Sequence, residues 1–423
     1  MMKTILFSLS LFSVAIFVSL FISRNSYALE ENVIPDSYIV VFKDSIASPA
    51  EVANQMAKEH GLTLAYTYGH ALKGFSATVP AARLNALRKD PRVLFISQDR
   101  VVNISGQANG KGKPTPTPPP HPPQKTPTGI SRIGLTTNTG VGIGVAVIDT
   151  GIDLDHPDLI GNIAGNVSCV PRKSTGDDDN GHGSHVAGTI AATNNNIGVI
   201  GVAPQAKLYA VKVLDARGSG TWSSVICGID WVTRNATAYN IKVANMSLGG
   251  GGSSDNNCGN TNSDALHKAI CASADAGVTY VVAAGNEQDN AANHVPAAYN
   301  DAVITVSALA DSNGLPGGGG PATSYGPDDT FATFSNFGSV VDLGAPGVSI
   351  YSTWKNGSYN TISGTSMASP HVAGAAALYL ASHPGSMWPA IRDGLVSVGE
   401  PLGLGHTDPS GFHPERVVFA GSL

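Results

Sequence analysis

"GVAVIDTGID", Gly144 to Asp153, sets a glycine and four apolar residues ahead of an aspartate, a threonine and a second glycine. An unbroken apolar run of this length reads as a strand buried on both faces, and the polar residue that follows it stands at the strand's carboxyl end. The pattern recurs at Leu208 to Val213, Val243 to Met246, Val278 to Ala283 and Ala302 to Val306. Helical segments lie between these runs, near Ser184 to Thr193, Ser223 to Arg234, Ser263 to Ala276 and Pro370 to Ser382. Continuous apolar strands alternating with helices predict an α/β fold, a mostly parallel twisted sheet with helices on both faces. Sites in such sheets form outside the carboxyl ends of the strands, which makes Asp149 the first residue to inspect. Taken alone, an aspartate there also serves as an ordinary turn residue.

Upstream, the chain changes character twice. Lys3 precedes the apolar run Ile5 to Ile22, and Ser26-Tyr27-Ala28 supplies small residues at a cleavage position, so residues 1–28 read as an export signal. A strand at Ser37 to Phe42, a helix at Pro49 to His60, strands at Leu62 to Tyr68 and Gly74 to Val79, a helix at Ala81 to Lys89 and a strand at Arg92 to Ser97 follow. That β-α-β-β-α-β order predicts a small ferredoxin-like α+β domain over residues 29–102. Residues 103–123, with "PTPTPPPHPP" at Pro114 to Pro123, form a proline-rich, extended linker open to proteases. Residues 124–423 are left for the larger α/β domain.

Composition narrows the function. A net charge of -6 and a charged fraction of 13% leave no basic footprint, so nucleic acid is excluded as a partner. The 49 glycines and 26 prolines point to tight turns and close backbone approaches rather than a helical bundle. Four cysteines with no C-x-x-C pair fit an oxidising compartment and two disulfides. Of the three possible pairings, Cys258 with Cys271 closes a short loop, which leaves Cys169 for Cys227.

Three further stretches carry chemistry. In "DDDNGHGSHVAGTIAAT", Asp177 to Thr193, His182 sits between two glycines at the start of a small-residue helix. Zinc is disfavoured there, because the carboxylate of an H-E-x-x-H motif is missing. In "VVAAGNEQDN", Val281 to Asn290, Asn286 follows a strand and offers an amide donor to an oxyanion. In "SGTSMASPHVAG", Ser363 to Gly374, Ser366 opens a buried helix, where a hydroxyl is either a cap or a nucleophile. The chain order Asp149, His182, Ser366 is one of the orders in which a Ser-His-Asp triad occurs.

With "VIDTGID" at Val147 to Asp153, "GHGSHVAGT" at Gly181 to Thr189, "SLGG" at Ser247 to Gly250, "AAGN" at Ala283 to Asn286 and "GTSMASPH" at Gly364 to His371, the chain resembles the subtilisin-like serine proteases. Residues 30–102 resemble the inhibitory propeptide of that family. The resemblance implies a secreted, monomeric endopeptidase of broad specificity, made as a self-processing precursor and free of the membrane once processed. Its partners would be polypeptide substrates and its own propeptide, acting as an intramolecular inhibitor.

The resemblance also implies roles. Ser366 is the nucleophile, His182 the general base and Asp149 its orienting partner, with the Asn286 side chain and the Ser366 N–H holding the oxyanion. Ser247, Leu248, Gly249 and Gly250, with Ala283, Ala284 and Gly285, would bind the substrate. Structural calcium would be held by Gln124, Asp158 and Asn195 through side chains and by Thr193, Ile197 and Val199 through the backbone, with no catalytic cofactor. The four cysteines depart from bacterial subtilisins, and Val186 stands where the proteinase K branch has cysteine.

Overall fold

The computed structural model describes residues 32–104 and 122–423. The export-signal segment 1–28 and most of the linker lie outside the described residues.

The larger domain is built on a sheet whose strands, from one edge to the other, are Arg416–Val417, Leu343–Pro346, Val303–Ala310, Thr279–Ala283, Ile241–Met246, Gly144–Asp149, Lys207–Lys212 and Ile163–Ser168. All of these pair in parallel, and the short strand Thr330–Phe331 adds antiparallel to Val303–Ala310. The parallel, twisted α/β sheet expected from the sequence is therefore present. Gly144–Asp149 is buried along its whole length and lies at the point where the strand order turns back on itself. Asp149 thus stands at the switch point where such sheets open a crevice.

Apolar side chains leave both faces of this sheet, and each face has its own core. On one face the helices His182–Ala191 and Thr365–Ser382 pack with Val145, Val147, Leu208 and Val281. On the other, the helices Trp222–Asn235 and Ala265–Asp275 pack with Ala146, Ile148, Val211 and Tyr280. The helix Thr365–Ser382 is apolar around most of its circumference, and it is buried accordingly. Two disulfides, Cys169–Cys227 and Cys258–Cys271, tie the second layer together in the pairing expected from loop length.

Residues 33–104 give strands Val33–Phe42, Thr63–Tyr68, Gly74–Thr78 and Val93–Ile104 with helices Pro49–His60 and Ala81–Arg88, the ferredoxin-like order. One face of this antiparallel sheet closes its own core around Phe42, Met56, Phe75 and Leu87. Ile39, Val41, Tyr68 and Val102 instead join the core of the large domain, over its helix Trp222–Asn235.

The last strand of the small domain corrects one expectation. It does not stop near Ser97 but runs to Ile104, into residues read from composition as linker. Its far end is held by the large domain: Asn103 and Ile104 pair antiparallel with Gly249 and Leu248, and Val101 to Asn103 pair with Thr221 to Ser219. These partners are more than a hundred residues away in sequence, so no local signal foretells the strand's length.

Candidate active site

Asp149 and His182 meet because a strand end and a helix start are pressed together. The helix His182–Ala191 opens at His182 itself, two residues before the expected Ser184. Gly183 makes this approach possible, since a Cβ there would stand 2.1 Å from the carbonyl oxygen of Gly151. His182 Nδ1 lies 2.8 and 3.0 Å from the two carboxylate oxygens of Asp149, and both residues are buried. The backbone N–H of Thr150 donates to Asp149 Oδ1 at 2.7 Å. An imidazole held through Nδ1 in this way presents Nε2 as the working nitrogen. That Nε2 is buried and has no hydrogen-bond partner among the described residues.

Ser366 is the second residue of the helix Thr365–Ser382, within its first turn. Pro370 accordingly lies inside the helix, not at its start. Proline has no N–H to give to the carbonyl four residues back, which is that of Ser366. That carbonyl accepts from the Ser247 hydroxyl at 2.9 Å instead, and the Ser366 hydroxyl donates to the Ser247 carbonyl at 3.2 Å. The proline therefore joins the start of the serine helix to "SLGG". Asn286 is locked on the other side: its Oδ1 accepts from the Thr365 N–H at 2.8 Å and the Thr365 hydroxyl at 3.0 Å. The amide's N–H side accordingly turns away from Thr365.

The expected substrate-binding residues come together around a cavity of about 420 Å³, lined by Gly249, Gly250, Ala283, Ala284 and Gly285. Ile104 and Asn103 of the small domain border it, and the Ile104 N–H donates to the Gly218 carbonyl at 2.9 Å. Leu248 pairs with Ile104, and Ser247 faces Ser366. Among the lining residues that had not been expected, Glu287 and His294 carry ionisable groups. His294 Nε2 lies 3.1 Å from Asp289, whose carboxyl is held below its ordinary range chiefly by the Asn293 side chain, with His294 adding to it. Glu287 directly follows "AAGN" and was legible; His294 reaches the cavity only through pairing of its strand with Gly251.

The residues expected to hold a cation lie on adjoining segments. The backbone of residues 122–125 lies along the loop Asn196 to Val199, with Pro123 bridged to Ile197 and Lys125 to Val199. Gln124 Oε1 accepts the N–H groups of Asn195 and Asn196 at 2.9 and 2.7 Å. Asp158 is buried; one oxygen accepts the Val199 N–H at 2.8 Å, and the other has no partner among the described residues. Burial pushes its carboxyl up to about 6. Thr193 Oγ1 is likewise buried and unpartnered. Unsatisfied buried oxygens beside oxygen-rich backbone are what a hard cation requires.

With this geometry in hand, comparison with known proteins is decisive. A family model described as "Subtilase family" matches residues 140–400, and one described as "Peptidase inhibitor I9" matches residues 37–105. The chain is 37% identical to Subtilisin NAT of Bacillus subtilis subsp. natto over 407 residues, 95% of this chain and 93% of that protein. It is 35% identical to alkaline serine exoprotease A of Vibrio alginolyticus over 364 residues, 84% of this chain and 62% of that protein. A crystal structure of a cold adapted subtilisin-like serine proteinase matches with a TM-score of 0.56 and 36% identity, covering 70% of this chain and 98% of that one. The chain belongs to the subtilase family and is a serine endopeptidase that carries an I9-type inhibitory domain ahead of its catalytic domain.

Proposed function

We propose that Asp149, His182 and Ser366 hydrolyse peptide bonds of proteins with broad specificity through an acyl-enzyme, and that the enzyme is secreted as a self-processing precursor. The observation that carries this reading is the buried His182–Asp149 pair, whose Nε2 has no partner among the described residues, on a helix that shares its core with the helix that begins at Thr365-Ser366. Ser366 Oγ attacks the scissile carbonyl carbon while His182 Nε2 takes its proton, and the Asp149 carboxylate stabilises the imidazolium that results. The oxyanion is met by the Ser366 N–H at the helix start and by the Asn286 amide. The imidazolium then returns the proton to the leaving amine, and water repeats the cycle on the acyl-enzyme.

Substrate backbone is gripped as a strand between Leu248–Gly251 and Ser219–Thr221, which recognises main chain and so accepts many sequences. Support comes from the enzyme's own small domain, whose terminal strand occupies that slot. The same contact supports intramolecular inhibition. The released enzyme is monomeric and extracellular. Among the described residues no helix is long and apolar enough to cross a membrane.

Calcium would be held by Gln124, Asp158 and Asn195 side chains and by the carbonyls of Thr193, Ile197 and Val199. The ion supplies positive charge to the buried Asp158 carboxylate and fixes residues 122–125 on the loop.

The test is intact mass and casein hydrolysis of wild type beside Ser366→Ala. The reading expects wild type to lose its N-terminal domain and cleave casein, with the variant uncut and inert. Equal processing of both, with neither cleaving casein, overturns it.

A further inference from the structure

We infer that Lys212 is a positioning residue that sets Asp149 and His182 against each other, an inference that rests on reading this pair as catalytic. Lys212 ends the strand Lys207–Lys212 and is the register partner of Asp149 on the adjoining parallel strand, so both side chains leave the same face at the same end. It is completely buried, a rare fate for a lysine without a special partner.

The ammonium makes two short contacts that join the two arms of the pair. Nζ donates to the carbonyl of Thr150 at 2.5 Å and to Asp179 Oδ1 at 2.6 Å. Thr150 directly follows Asp149 and holds its carboxylate through the backbone N–H. Its hydroxyl donates to Asp178 Oδ1 at 2.9 Å and accepts the Gly183 N–H at 2.9 Å. Asp179 lies in the short loop that delivers His182. The neighbouring Asp178 takes the N–H groups of Asn180, Gly181 and Ser184, the last of these within the histidine helix. One buried cation therefore spans from the peptide after Asp149 to the loop before His182.

A structural purpose alone is a weak account of such a group. A buried ion pair is often no more stabilising than apolar packing of the same volume, whereas it does fix geometry. The charged groups around it are Asp149, Asp178 and Asp179, together with Lys173 on the other oxygen of Asp179 and Lys355 on the Asp179 carbonyl. Lys212 is the fully buried cation among these.

The experiment compares Lys212→Met and Asp179→Asn with wild type in the self-processed enzyme. Active sites are counted with a sulfonyl fluoride, and kcat and KM are followed against pH on a peptide anilide. For Lys212→Met, kcat per titrated site falls by about ten- to a hundredfold with KM nearly unchanged, the scale of loss for a misplaced catalytic group. Its acid limb moves to higher pH, because removing a cation favours the imidazolium of His182. Asp179→Asn moves the limb the opposite way, because an anion is removed. A purely structural lysine would lower the melting temperature and leave kcat per site and both limbs where they were, and that result overturns the inference. If Lys212→Met does not fold, the limb of Asp179→Asn decides: a shift to lower pH supports the clamp, and none overturns it. Ser366→Ala, run alongside, tests the underlying reading separately, since residual cleavage by that variant would sink the triad and not the clamp alone.

Discussion

Ser366 owes its setting to a proline four residues further along its own helix: Pro370 frees the Ser366 carbonyl, and the Ser247 hydroxyl donates to it. The result is a hydroxyl and a backbone N–H at a helix start, where developing negative charge is favoured. In the proposed mechanism the Asn286 amide completes that pocket, and Asn286→Ala should lower kcat by about 10²–10³-fold with little change in KM. That magnitude is subtilisin's own for such a donor, carried over to this chain; an equal loss in KM instead would assign Asn286 to substrate binding. Asp342 carries a second residue-scale prediction. Burial pushes its carboxyl up to about 7, against the Thr305 N–H and the Arg392 guanidinium, which favour the charge. The folded value lies above the ordinary one, so the folded chain binds a proton that the unfolded chain lacks between about pH 4 and 7, and stability rises as pH falls through that window. Asp342→Asn keeps an acceptor for Thr305 while removing the buried charge. Its melting temperature should exceed that of wild type at about pH 8, with the gap narrowing as pH falls and closing only below about pH 4; a constant difference would place the effect in packing.

At the scale of elements, the decisive contact is the strand Val93–Ile104 inserted between two short strands of the catalytic domain. Its hold is reinforced by carboxylates. Asp99, buried, accepts the Ser223 N–H at 3.0 Å and the Ser223 hydroxyl at 2.6 Å at the start of the helix Trp222–Asn235. Asp230 answers from the same helix, taking the N–H groups of Gly69, His70 and Ala71 at 3.1, 2.6 and 2.8 Å. Hydrogen bonds to a charged group contribute about 1.5–3 kcal/mol each. Asp99→Ala in the separately made N-terminal domain should therefore raise its inhibition constant against the mature enzyme by about ten- to a hundredfold. An unchanged constant would mean that the strand pairing alone carries the affinity. That the small domain would bind its own enzyme was expected from the family resemblance, but the residues that do so were not legible, because Asp99 lies beyond the strand read as ending at Ser97. Asp149, Asn286 and His182 were legible, because each stands where an apolar strand or a small-residue helix begins or ends. Lys212 was not, since a lysine closing a strand ordinarily marks solvent, and only the third dimension puts Asp179 over it.

The whole molecule is organised by what its separate layers must hold in place. One core lies under the serine and histidine helices, the other under the inhibitory domain, and the sheet between them fixes the Asp149 end of the cleft. The segment 122–125 is hydrogen-bonded to the loop Asn194 to Val199, and that loop in turn meets the buried Asp158 carboxylate through the Val199 N–H. Without a cation the other oxygen of that carboxylate is unpaired in a buried place, a cost of about 1–3 kcal/mol or more for a charged group. An ion bound only by the folded state adds stability in proportion to the logarithm of its concentration over Kd. The mature enzyme should therefore melt at a temperature that rises with calcium and drops in excess chelator, while magnesium substitutes poorly because it demands a tighter octahedral shell. Asp158→Asn should remove the calcium dependence and melt above the chelated wild type, since the amide no longer carries the buried charge. Calorimetry of the two proteins with calcium, magnesium and chelator separates the cases. A melting temperature of wild type indifferent to calcium would mean that Gln124 and the loop are held by their own hydrogen bonds alone.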